Sequence, residues 1–275
     1  MTIASIRKRN PALRRRFVAT VVASPLLLGR MRAWAQVADL NDAINKAGRQ
    51  RMLSQRMAKA WLSIGLGIEA GRAQRILGDS MALFDRQFVE LKSYAPTKPI
   101  RDTYASLEPV WADYKAALVG QQPGKPAAAA LVELDARVLK LAHQGTVQLE
   151  QHSGKSLGRL VNIAGRERML SQRMAKFYLV QAWGVALPDA GKELDGARAE
   201  FVQALKTLRE APEATPAIRQ ELELADQQWT FFDNALKRLG DGTQGGQRAA
   251  EVFSSSENIL QVMDRVTGLY ARAGA

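Results

Sequence analysis

The 275-residue chain has no cysteine and only two histidines. Without cysteine there can be no disulfides, thiolate metal sites, covalent haem attachment or iron–sulfur ligation. The histidines, His143 and His152, fall nine residues apart on one expected helix and share no face, so both read as surface residues and no metal site is expected. No run of alternating β-branched residues marks a strand, and beyond residue 35 no segment is apolar enough to cross a membrane. Gly-rich phosphate loops, paired carboxylates and groove-reading motifs are absent, and Ser54 and Ser171 have no histidine nearby to activate them. No enzymatic activity, cofactor or nucleic-acid partner is expected.

The formal charge of +12 belongs mostly to the first 35 residues, which hold eight basic residues and no acidic one; the remainder carries 31 basic against 27 acidic residues. Residues 1–35 have the parts of a cleavable export signal: a basic region through Arg16, an apolar stretch from Phe17 to Gly29, and Ala33-Trp34-Ala35 as the cleavage site. Arg14-Arg15-Arg16-Phe17-Val18 resembles a twin-arginine signal, although Leu13 and Ala19 depart from that pattern. The expectation is a periplasmic protein beginning near Gln36, with an uncleaved inner-membrane anchor as the alternative.

Asn45 to Lys59 reads NKAGRQRMLSQRMAK, and 117 residues later Asn162 to Lys176 reads NIAGRERMLSQRMAK, identical at thirteen of fifteen positions. A repeat of this length implies two similar units, each able to bury a core. Apolar residues recur at three- and four-residue spacing from Asp39 to Tyr270, and breakers at Gly71, Pro96 to Pro99, Gln121 to Pro126, Leu187-Pro188, Pro212 to Pro216 and Gly240 to Gly246 divide the pattern. The fold class expected is all-α: two tandem antiparallel four-helix bundles, residues 36–156 and 157–275, with the fourth helix able to run continuously into the fifth.

On a helical wheel Leu53, Met57, Ala60 and Ile64 form the ordinary core stripe. Beside it Asn45, Arg49, Met52, Arg56 and Lys59 line up as a second seam, repeated as Asn162, Arg166, Met169, Arg173 and Lys176. Three cations on a packing seam are unfavourable unless an anion lies between them. The planar fork of arginine suits a small oxyanion such as nitrate, nitrite, carboxylate or bicarbonate. Gly48 and Gly165 each cost a helix about 1 kcal/mol relative to alanine and leave room for close approach. Arg51 and Arg168 project nearly opposite the core stripe, where a solvated or structural role stands beside ligand contact. The methionines and Trp61, Trp111, Trp183 and Trp229 read as packing residues.

The pattern Ala-Gly-x-x-Arg-Met-x-Ser-x-Arg, at Ala47 to Arg56 and Ala164 to Arg173, resembles the motif of the periplasmic domain of nitrate/nitrite sensor kinases (NarX-like) and of the N-terminal domain of type IV pilus methyl-accepting chemotaxis transducers (PilJ-like). The resemblance implies antiparallel four-helix bundles with nitrate held by motif arginines between two first helices. It would place the anion-binding arginine at Arg56 and Arg173, with Arg51 and Arg168 as further motif arginines and Gly48 and Gly165 as backbone neighbours. Such sensors also carry a second membrane helix and an output domain, for which residues 36–275 show no pattern, so signalling is expected through a membrane sensor kinase, chemoreceptor or transporter. The motif helices could pair within one chain or across a homodimer. The competing expectation is a structural or docking protein of envelope, pilus or chemotaxis machinery, using the motif helices as its interface.

Overall fold

Asp39 opens the first helix: its extended backbone lets the side chain accept the Asp42 N–H at 2.8 Å, satisfying one of the donors that a helix start leaves unpaired. The computed structural model describes residues 36–120, 122–238 and 245–273; the leader and its cleavage site lie outside them. The helices are α1 (Leu40–Gly65), α2 (Ala70–Tyr94), α3 (Lys98–Gly120), α4 (Lys125–Ser153), α5 (Ser156–Trp183), α6 (Ala190–Glu210), α7 (Pro216–Leu236) and α8 (Gly245–Arg272), with no strand among the described residues. Their ends follow the breakers. Gly67 and Glu69 turn the chain between α1 and α2 with positive φ, and Pro126 and Pro216 sit in the first turns of α4 and α7, where the missing N–H costs nothing.

Helix α4 does not run on into α5. Gly154 adopts φ 60°, caps α4 in the left-handed conformation, and Lys155 is extended. Breaking the helix here lets α5 fold back beside α1 instead of extending a rod.

Each set of four helices is built around its motif helix. Helix α1 packs against α2 and α4, and α5 against α6 and α8; α3 closes on α4 and α7 on α8. The halves repeat in their cores. Phe84 stacks on Trp111 with ring centroids 4.0 Å apart, and Phe201 on Trp229 at 4.6 Å, each pair adding about 0.5–1.5 kcal/mol beyond area burial. The two sets then join through α1 and α5, with α8 also touching α1 and α4 touching α5, in one compact unit. Contacts of Ile44 with Gly158, Gly48 with Gly165 and Gly65 with Trp183 ascend together, so α1 and α5 run in the same direction.

Candidate functional site

A helix packed on several sides buries more than one face, and this changes the reading of the repeated segment. Arg51 and Arg168, expected opposite the core stripe, are both fully buried. They project into the α1–α5 contact, a second buried face that a wheel with one core stripe leaves out. A Cβ built on Gly48 would lie 3.2 Å from Nη2 of Arg51 and 3.5 Å from Nη2 of Arg168; the Gly165 values are 3.2 Å to Arg168 and 3.6 Å to Arg51. Two guanidinium groups therefore meet at a pair of glycines, where side chains would fill the space. Each arginine reaches across to the other motif: Arg51 Nη2 donates to the Asn162 carbonyl (3.2 Å) and Oδ1 (2.7 Å), and Arg168 Nη2 donates to the Asn45 carbonyl (3.1 Å).

The copies differ in how their charge is balanced. Arg168 Nη1 is 2.5 Å from Asp264 Oδ1, and Arg49 Nη2 is 2.9 Å from the same oxygen. Burial alone would raise the Asp264 carboxyl, but the two arginines outweigh it and hold it at about 2. Arg51 has no carboxylate partner among the described residues; its Nη1 donates to His143 Nδ1 at 3.2 Å and its buried Nε is unpartnered. Burial, followed by the charges of Arg166 and Arg168, lowers Arg51 to about 9, so it stays charged at neutral pH. Burial and the arginines lower His143 to about 4, leaving it neutral with its proton on Nε2.

The seam cations are mostly matched by the protein's own carboxylates. Glu257 takes both Arg56 and the buried Lys59, and is held at about 2 by them against the upward pull of burial. In the second copy Arg166 pairs with Glu200, Arg173 with Glu193, and Lys176 with buried Asp135 at 2.6 Å. Arg56 and Arg173 thus share no partner, whereas Arg51 and Arg168 converge on one point. Asn162 is held by Glu150, while Asn45 Oδ1 is buried and unpartnered.

Beside Arg51, a cleft of about 280 Å³ is lined by Lys140, His143, Arg166, Met169 and Arg173, with no carboxylate on its wall. His143, expected at the surface, is half-buried here because α4 packs against both motif helices. Sequence reasoning missed this residue and the acids at 257 and 264. The signal lay in the spacing: α4 and α8 correspond at an offset of 121, which pairs His143 with Asp264 and Thr146 with Thr267, each threonine bonding the carbonyl four residues back. Ser54 and Ser171 donate to the carbonyls of Arg51 and Arg168 and accept from the amides of Gln55 and Gln172. No group of three or more His, Asp or Glu suited to a metal ion occurs among the described residues.

The family model described as type IV pili methyl-accepting chemotaxis transducer N-term matches residues 33–134 and again residues 151–256. No curated protein and no solved structure matches the chain.

Proposed function

The chain belongs to the family of type IV pili methyl-accepting chemotaxis transducer N-terminal domains, in two tandem copies, and from that premise we propose that it is a periplasmic binding module for a small oxyanion, nitrate or nitrite foremost. Its occupancy would be read by a separate membrane sensor kinase, chemoreceptor or transporter, and no reaction is assigned to it. The family supplies the sensor role in coarse form. The oxyanion is inferred from one observation above all: Arg51 is a fully buried cation with no carboxylate partner among the described residues, beside a second buried arginine and two glycines. Isolating charge in this way is costly unless an anion joins it. Arg51 is assigned the charge-assisted contact, because Arg56, Arg173 and Arg168 already hold Glu257, Glu193 and Asp264. Export to the periplasm is supported by the leader, and N-terminal sequencing of the protein from that compartment tests it.

Calorimetric titration with nitrate, nitrite and chloride tests the ligand. Saturable binding of an oxyanion, lost in Arg51→Ala and kept in Arg56→Ala, is the expected result. A folded chain that takes up none of these anions would overturn the reading and return the motif helices to a docking role.

A further inference from the structure

The duplication has produced two equivalent faces on the α1–α5 pair, one covered by α4 and the other by α8; Asp135 of α4 pairs with Lys176 much as Glu257 of α8 pairs with Lys59, but the faces differ in what they offer the two buried arginines. On the α8 face, Asp264 sits on Arg168 and Arg49 while Glu257 sits on Arg56 and Lys59. At the corresponding positions of α4 stand His143 and Ala136, and exposed Lys140 corresponds to Gln261. Where one copy offers its arginine a carboxylate, the other offers a neutral imidazole and a cationic cleft.

We propose that the chain holds a single small oxyanion, taken up from the α4 side onto Arg51 beside His143 and Lys140, while Asp264 serves as a built-in substitute anion that closes the α8 side. This rests on the functional reading above and adds to it the side of access, the stoichiometry and the discriminating residues. The cleft reaches Arg51, which like Arg168 is fully buried with an unpartnered Nε, but whose guanidinium, unlike that of Arg168, has no carboxylate on it among the described residues. With Nδ1 accepting from Arg51, the His143 Nε2–H is a neutral donor suited to an anion. No acid among the described residues pairs directly with Arg51: Glu150 and Glu200 favour its charge only from a distance, Glu150 through the Asn162 amide and Glu200 while paired with Arg166, and Glu193 lies on Arg173. The space admits an anion of nitrate or sulfate size.

Titration of the full chain with nitrate and with sulfate tests the proposal, with folding checked by circular dichroism. Expected are one anion per chain and a loss of affinity of tenfold or more in His143→Asp, which copies the α8 arrangement onto α4. The surface change Lys140→Glu weakens binding at least threefold, and Gln261→Glu, the matching change on the opposite face, leaves affinity within twofold. Should His143→Asp fail to fold, the comparison of Lys140→Glu with Gln261→Glu decides. Folded His143→Asp and Lys140→Glu variants that bind as wild type would overturn the α4-side assignment and leave the oxyanion reading standing. A folded Asp264→Asn variant is expected to take up a second anion at Arg168; a stoichiometry still of one would overturn the substitute role of Asp264. A wild-type chain that takes up neither anion removes the functional reading and this proposal together.

Discussion

Gly48 and Gly165 face each other across the α1–α5 crossing, and a Cβ on either would lie 3.8 Å from the other's Cα. The tightest neighbours of that Cβ are guanidinium nitrogens, the movable ends of long side chains. We predict that Gly48→Ala separates stability from binding. The backbone tolerates the methyl group and gains about 1 kcal/mol of helix propensity, offsetting the arginine shift, while nitrate affinity falls tenfold or more. Parallel losses in melting temperature and affinity would show that the glycine serves packing alone.

The buried arginines should respond unequally to removal of charge. Arg51→Met deletes a cation without a carboxylate and is expected to stabilise the chain by about 1–3 kcal/mol. Arg168→Met leaves Asp264 with only Arg49 and is expected to be neutral or destabilising. Denaturant midpoints decide the order, and Arg51→Met as the less stable variant would contradict it.

Acid should weaken the fold through Glu257. Its carboxyl lies at about 2 in the folded chain, below its unfolded value, so its contribution is present above the ordinary carboxylate range and is lost as pH falls toward 2. A depression of this size corresponds to roughly 3 kcal/mol. Glu257→Gln strands the buried Lys59 and is expected to cost about 3–5 kcal/mol at neutral pH, a difference that shrinks toward pH 2. Unfolding curves across that range give the test.

Glu167 has the opposite sign. It is fully buried with both carboxyl oxygens unpartnered, and burial, with Glu200 adding, raises its pKa well above the ordinary value. Folding favours its protonated form, so stability is greatest below the unfolded carboxylate pKa and declines as pH rises toward the folded value. The first copy carries Gln50 here, whose Nε2 donates to the Phe84 carbonyl at 3.4 Å. Glu167→Gln should stabilise by about 1–3 kcal/mol at pH 7 and by little at pH 4. A gain independent of pH would sink this account.

The helices were legible because their information is local. Pro96 and Pro126 interrupt the periodicity where the chain turns, whereas Gly71, expected as a breaker, lies inside α2 and the turn falls at Gly67 and Glu69; Asp39 and Thr215 cap helix starts with their own side chains. The site was legible only in part. Periodicity showed that the seam needed negative charge, but Glu257 lies 201 residues from Arg56, and only the packing of α8 on α5 and α1 brings it there. The burial of Arg51 and Arg168 was not legible because amphipathicity reports one buried face, whereas a helix at the centre of two bundles has two. Even the continuous-helix expectation turned on one residue, since Gly154 is equally legal inside a helix and as its left-handed cap.

That cap at Gly154 also bears on concentration. Two motif helices carried by separate chains would part once diluted below their dissociation constant, taking with them any site they share. Here that turn joins α5 to α4, which already packs on α1, so the encounter of α1 with α5 is unimolecular and independent of how much protein is present. A ligand held between α1 and α5 would report its own concentration alone, at any level of expression.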